Sequence, residues 1–146
     1  MLEVPLVHLD LDLALPAYSQ PGDAGADVVA AQDVLLAPGG GRAIVGTGVA
    51  VAIPEGYAGF LLPRSGLALR HGVTCLNAPG LIDSGYRGEL RMVLVNTDPH
   101  QPYQVRRGDR IGQLVVQRVE HVGFGVVDTL PDGVRGEGGF GSTGVR

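Results

Sequence analysis

The sequence predicts one all-β domain, a sandwich or barrel carrying a single short helix. Three observations lead there. The chain has 146 residues, 45% of them hydrophobic, which is one domain's length with enough apolar material for a core. Its 24 glycines and 10 prolines break the apolar runs every few residues, whereas glycine ordinarily makes up about 7% of a chain. No helical periodicity of any length, internal repeat or second composition regime interrupts that pattern of short strands and turns.

Taken in order, Val4 to Leu15 alternates loosely and ends at Pro16, an edge strand followed by the loop Tyr18 to Asp23. Ala24-Gly25-Ala26-Asp27-Val28-Val29-Ala30 then delivers an acid at the start of a β-branched strand. Asp27 suits a turn carboxylate. It equally suits an outer-sphere magnesium ligand, because hydrated magnesium is held by one or two carboxylates together with substrate phosphates. Arg42 to Ile53 is a long strand with Val45, Val49, Val51 and Ile53 on one face; Pro54-Glu55-Gly56 ends it, and Tyr57 to Leu62 follows as a second core strand.

In Pro63 to Gly72, a Pro/Ser opening and a Gly closing around Leu67, Leu69 and Arg70 predict the one short helix. Its N-terminus offers free N–H groups, the Ser65 hydroxyl and the Arg64 cation, which suits either an ordinary helix start or a phosphate. Val73 to Leu76 is an apolar run in which Cys75 packs as a small hydrophobe. Asn77-Ala78-Pro79-Gly80-Leu81-Ile82-Asp83-Ser84-Gly85-Tyr86-Arg87-Gly88-Glu89 reads as a bent β-hairpin whose unpaired backbone groups a planar base edge can satisfy. Asp83 beside its turn serves as an Asx-turn residue or as a general base, and Tyr86 offers a ring to lie under a sugar or base.

Leu90 to Val95 is a half-buried strand, Asn96-Thr97-Asp98-Pro99 a turn and Tyr103 to Val105 a short strand. Arg106 to Arg110 makes a tight charged turn, with Arg107 and Asp109 expected as a solvated pair. Gln113 interrupts the apolar strand that follows, as a core hydrogen-bonder or a phosphate donor. The chain ends in Arg135-Gly136-Glu137-Gly138-Gly139-Phe140-Gly141-Ser142-Thr143-Gly144. Its G-x-G-x-x-G spacing is accidental, because no helix can follow it. Composition alone reads as a flexible tail, yet Phe140 among glycines and hydroxyls also suits an arm that closes over a nucleotide.

The net charge of −4 and pI near 5.4 argue against a general nucleic-acid or membrane-surface binder. One cysteine excludes an intramolecular disulfide and fits a reducing compartment. With no leader pattern at the start and no apolar run of spanning length, a cytoplasmic protein is expected. The four histidines, His8, His71, His100 and His121, show no zinc-type spacing.

Five segments, Ala24 to Ala30, Pro63 to Ala68, Asn77 to Glu89, Arg110 to Val115 and Arg135 to Gly144, together resemble the motifs of the trimeric dUTPases in that family's order. These enzymes split dUTP into dUMP and pyrophosphate. The resemblance implies a jelly-roll-like β-sandwich and a homotrimer with three shared sites. Residues 1–127 would form the β domain, and residues 128–146 an arm completing a neighbour's site.

Carried over by position, Asn77, Gly80, Leu81 and Ile82 would read the uracil edge, with Tyr86 under the deoxyribose. Asp83 would be the general base. Arg64, Ser65, Gly66 and Gln113 would hold the α and β phosphates, while Arg135, Ser142 and Thr143 reach the γ-phosphate. Phe140, followed by Gly141, would stack on the base, and magnesium would be oriented by Asp27 through water. Ala26 departs from the larger residue frequent at its position, which implies altered packing beneath Asp27. Two alternatives stand beside this reading. A dCTP deaminase needs a catalytic glutamate that Asn77 to Tyr86 lacks, and a catalytically silent module that binds nucleotide or a protein partner would not need the full set of Asp83, Arg64, Gln113 and Arg135.

Overall fold

Alternation buries Val45, Val49, Val51 and Ile53, each at most 3% exposed, and these side chains seed the interior of the molecule. A computed structural model describes residues 1–139. Its strands are β1 (Leu6–His8), β2 (Ala26–Val29), β3 (Val34–Leu36), β4 (Gly41–Val51), β5 (Tyr57–Leu62), β6 (Val73–Cys75), β7 (Gly80–Ile82), β8 (Glu89–Asn96), β9 (Tyr103–Val105) and β10 (Arg110–Arg118). The one helix, α1 (Ser65–His71), joins β5 to β6 and ends at Gly72, whose left-handed φ of 64° lets its N–H reach back to Ala68 and Leu67.

Two antiparallel four-stranded sheets, β1-β4-β8-β6 and β2-β10-β5-β7, face each other as a jelly-roll-like sandwich, with a β3-β9 ladder at the side. Leu61, Leu90, Met92, Leu94 and Ile111 join the β4 side chains in one apolar cluster. The smaller residues of β4 are covered too. A Cβ on Gly46 would strike the Glu89 carboxylate, and Gly48, at φ 73°, lies against Leu13 and Asp10. The β4-β8 register shifts between Gly46 and Ala50, and Glu89 Oε1 accepts the Gly48 N–H there at 3.0 Å.

Three expectations are corrected. Only Leu6–His8 of the N-terminal stretch is strand, because the chain turns inward at Leu13, whose carbonyl pairs with His8 Nε2 at 3.0 Å. Asn77 to Glu89 is not a hairpin: β7 pairs with β5, and the next strand, β8, belongs to the opposite sheet. The segment is therefore a crossing between sheets, and β7 is an edge strand with half its backbone groups facing outward. Arg107 does not pair with Asp109. It forks onto Asp10, with Nη2 at 2.8 Å from Oδ1, while Asp109 accepts the Arg106 N–H at 2.9 Å.

Asn96, fully buried at the end of β8, ties three segments together. Its amide donates to Leu36 O at 3.2 Å and Gln101 O at 2.8 Å, and its oxygen accepts the Asp98 N–H at 3.0 Å. Replacing Asn96 with Ala removes all three bonds and strands the buried Leu36 carbonyl. A loss of about 3 kcal/mol is expected in urea unfolding with an unchanged denaturant slope.

Candidate active site

β10 lies between β2 and β5, and its register sets Gln113 opposite Asp27 on one side and Leu62 on the other. These residues, with Ser19, Arg64 and Arg110, line a cleft of about 470 Å³. Gly25 is required there, since a Cβ would come within 2.9 Å of Gln113 Oε1. The Asp27 carboxylate, 11% exposed, is shared by two cations: Arg110 Nη1 at 3.0 Å from Oδ2 and Arg64 Nε at 3.5 Å from Oδ1. The Ser19 hydroxyl also donates to Oδ2 at 2.9 Å.

Burial pushes the Asp27 carboxyl up, but the Ser19 and Arg110 hydrogen bonds and the charges of Arg64 and Arg110 outweigh it and hold the group below its ordinary value. Ala26 beneath it is buried, and Asp27 keeps its partners, so the smaller residue leaves the acid anchored. Oδ1 and Arg64 Nε remain buried with no hydrogen-bond partner. Among the described residues no cluster of three metal-ligating side chains exists. A carboxylate already shared by two arginines suits a single contact to a hydrated cation through water.

Arg64 precedes α1, and its Nη1 donates to Arg110 O at 3.3 Å. The first intrahelical bonds run from Leu67 and Ala68 to Arg64 O, which leaves the N–H groups of Ser65 and Gly66 ahead of them without intrahelical partners.

A second cleft, of about 340 Å³, is lined by Leu81, Ile82, Asp83 and Tyr86 with Ile44, Glu89 and Arg91. Asp83 and Tyr86 are exposed, and Gly80 and Ile82 are buried along β7. Tyr86 donates its hydroxyl to Glu89 O at 2.9 Å, so its ring folds over Gly88, where a Cβ would collide with it. Arg87 closes the same turn with Nη1 on Ser84 O at 2.6 Å and Tyr86 O at 2.7 Å. The Asp83 turn is thus held by its own side chains. The Cys75 thiol, buried as expected, donates to Asn77 Oδ1 at 3.2 Å, and the Asn77 amide nitrogen lies beside Gly80.

Within one chain Arg64 and Gln113 line one cleft and Asp83 the other, with no residue in common, while Ser65, Gly66, Asn77 and Gly80 line neither. Arg135 sits in an exposed turn and lines neither, and Phe140, Gly141, Ser142 and Thr143 lie outside the described residues. Sequence reasoning missed Ser19 and Arg110. Strand alternation puts Arg110 and Gln113, three apart, on opposite faces, but a bulge between Arg110 and Gly112 returns both to the Asp27 side.

Fold and site define an antiparallel β-sandwich with one cleft lined by two arginines and a separate acid-bearing cleft at an edge strand. The dUTPase family model matches residues 12–144, and the chain belongs to that family. Over 143 residues it is 61% identical to the deoxyuridine 5'-triphosphate nucleotidohydrolase of Thermobifida fusca, covering 98% of this chain and 79% of the relative, and 58% identical to that of Streptomyces coelicolor, covering 98% and 78%. The Staphylococcus bacteriophage 80alpha dUTPase with dUPNHPP superposes with a TM-score of 0.88 at 30% identity, covering 98% of this chain and 99% of that one. A mutant dUTPase from phage phi11 of S. aureus, described for the coordination of a structural Mg(II) ion, superposes at 0.80 with 27% identity, covering 87% and 97%.

The lowered carboxyl of Asp27 gives a stability term with a definite sign. Its folded value lies below the ordinary 3.8, so the term is fully present above that value and is lost as pH falls through the folded one. Asp27→Asn is expected to flatten the fall in urea midpoint between about pH 5 and 2, measured against the parent protein.

Proposed function

We propose that this protein hydrolyses dUTP to dUMP and pyrophosphate, lowering dUTP so that uracil stays out of DNA and supplying dUMP for thymidylate synthesis. The observation that supports this reading is the edge strand β7 running straight into Asp83, which puts outward-facing backbone groups and a carboxylate on one short segment. Outward-facing groups of β7 and the Asn77 amide would bind the uracil edge. Cytosine would set a donor against a donor, at about 1–3 kcal/mol for the buried group left unpaired. Tyr86, fixed by its hydroxyl bond, would lie under the deoxyribose and leave no space for a 2′-hydroxyl.

Asp83 would take the proton of a water aligned for in-line attack on the α-phosphorus. Arg64, the N–H groups of Ser65 and Gly66, and Gln113 would hold the α and β phosphates and the charge that develops on the leaving pyrophosphate. Bound magnesium would supply charge neutralisation on the triphosphate, and the Asp27 carboxylate at the cleft would meet its hydration shell through water.

Because the two clefts are separate in one chain, the complete site would form between subunits of a homotrimer. The chain beyond Val119 supports this. Val122, Phe124, Val126, Leu130 and Val134 are all at least 65% exposed, an apolar surface suited to a neighbouring subunit. Residues 128–146 would be the arm, with Arg135, Ser142 and Thr143 reaching the γ-phosphate and Phe140 covering the base, so that closure excludes bulk water. No helix among the described residues is long and apolar enough to cross a membrane. A single free, buried cysteine suits the reducing cytoplasm where this reaction would be placed.

Pyrophosphate release from dUTP, dCTP, dTTP and UTP with magnesium tests the reading. Turnover confined to dUTP is expected; ammonia release from dCTP, or no turnover at all, would overturn it. In the same assay Asp83→Asn is expected to be at least about 100-fold slower while binding dUTP nearly normally. Near-normal turnover by that variant would remove Asp83 from the chemistry.

A further inference from the structure

Arg110 stands where its backbone and its side chain both serve the anion cleft. Its carbonyl accepts Arg64 Nη1 at 3.3 Å, and its own Nη1 reaches Asp27 Oδ2 at 3.0 Å and Ser19 Oγ at 3.3 Å. A guanidinium carries five N–H donors in a planar fork. Nη2 and Nε of Arg110 make no hydrogen bond with the described residues, and the side chain is 53% exposed into the cleft. Two guanidiniums share the Asp27 carboxylate, and the second acid of the cleft, Asp23, accepts the Gln20 N–H at 2.8 Å, so neither arginine is matched by a carboxylate of its own. The β10 bulge turns this cation to the same face as Asp27 and Gln113, where one edge of the fork meets the carboxylate and the other is left to the cleft.

We propose that Arg110 is a further phosphate-binding residue of the nucleotide site, its fork presented by Asp27 and Ser19 and its free edge directed to the triphosphate. This inference rests on the dUTP reading above. Arg64 and Arg110 then grip the substrate as a pair, oriented through a common carboxylate, with the planar donor edges that suit phosphate oxygens. Arg110 differs in this from Ser19, which touches only the carboxylate and the arginine.

The test is calorimetric binding of the non-hydrolysable α,β-imido analogue of dUTP, in EDTA so that metal plays no part. The parent protein is compared with Arg110→Gln, Asp27→Asn and the double variant. Loss of a charged donor to phosphate is expected to weaken binding about tenfold in Arg110→Gln. The double variant distinguishes a ligand from a counter-ion. If Arg110 only neutralises Asp27, removing both charges restores parental affinity and the proposal falls; if it binds phosphate, the double variant stays at least about tenfold weaker than Asp27→Asn alone. Parental affinity in Arg110→Gln would likewise overturn it. Should Arg110→Gln fail to fold, the comparison of Asp27→Asn with the double variant decides alone, a further loss supporting the assignment and no further loss refuting it. A parent protein that does not bind the analogue would refute the dUTP reading itself, whereas a binding parent with an indifferent Arg110 refutes only the role of that residue.

Discussion

The antiparallel register of β10 is the constraint on which the site depends. By pairing with β2 and β5 at once, it lines up Asp27, Gln113 and Leu62 across three strands and brings Arg64, two residues past β5, to the same cleft. One residue of slip would send Gln113 to the other face and leave Asp27 opposite an apolar neighbour. The slip is prevented from inside. Ile111 and Leu114 are buried in the sandwich, and Gly112 lies so close to Met92 that no Cβ fits between them. Core packing thus fixes the register, the register fixes the cleft, and the cleft gathers two arginines on one carboxylate.

A different kind of order holds the second cleft. The crossing from β7 to β8 has no ladder partner across it, so Arg87 and Tyr86 close the turn by bonding its carbonyls. Asp83 is presented to solvent on a turn organised by its own side chains. Asp98 works in the same manner at the far end of β8, where its carboxylate accepts the N–H groups of His100 and Gln101, both at 2.8 Å. Short strands linked by self-bonded turns explain how a chain so rich in glycine keeps defined surfaces.

Local signals in the sequence were sufficient where an element is defined by its own residues. Tyr57–Leu62 and Tyr103–Val105 have the predicted bounds, α1 lies inside its predicted span, and Cys75 is buried in its apolar run. Features set by distant partners were illegible. The partner of Arg107 is 97 residues away at Asp10, and β7 finds β5 rather than its neighbour in sequence. Asp27 and Gln113, which line one cleft, stood out in the sequence as polar side chains beside β-branched runs. Arg110 was hidden, since only the bulge, a three-dimensional event, turns it into the cleft. The family motifs made Asp83 and Arg64 legible together, although nothing local to either segment says that they occupy separate clefts of one chain.

That separation makes subunit complementation the most direct measurement. Asp83→Asn and Arg64→Ala chains, each inactive alone, would be mixed, unfolded and refolded together, and assayed for dUTP hydrolysis. With each site drawing Asp83 from one chain of a proposed trimer and Arg64 from another, random assembly leaves about one site in four with both residues intact. Recovery approaching about a quarter of parental activity is the expected result. A refolded mixture as inactive as its components would show that both residues of a working site come from the same chain, and would contradict the shared site.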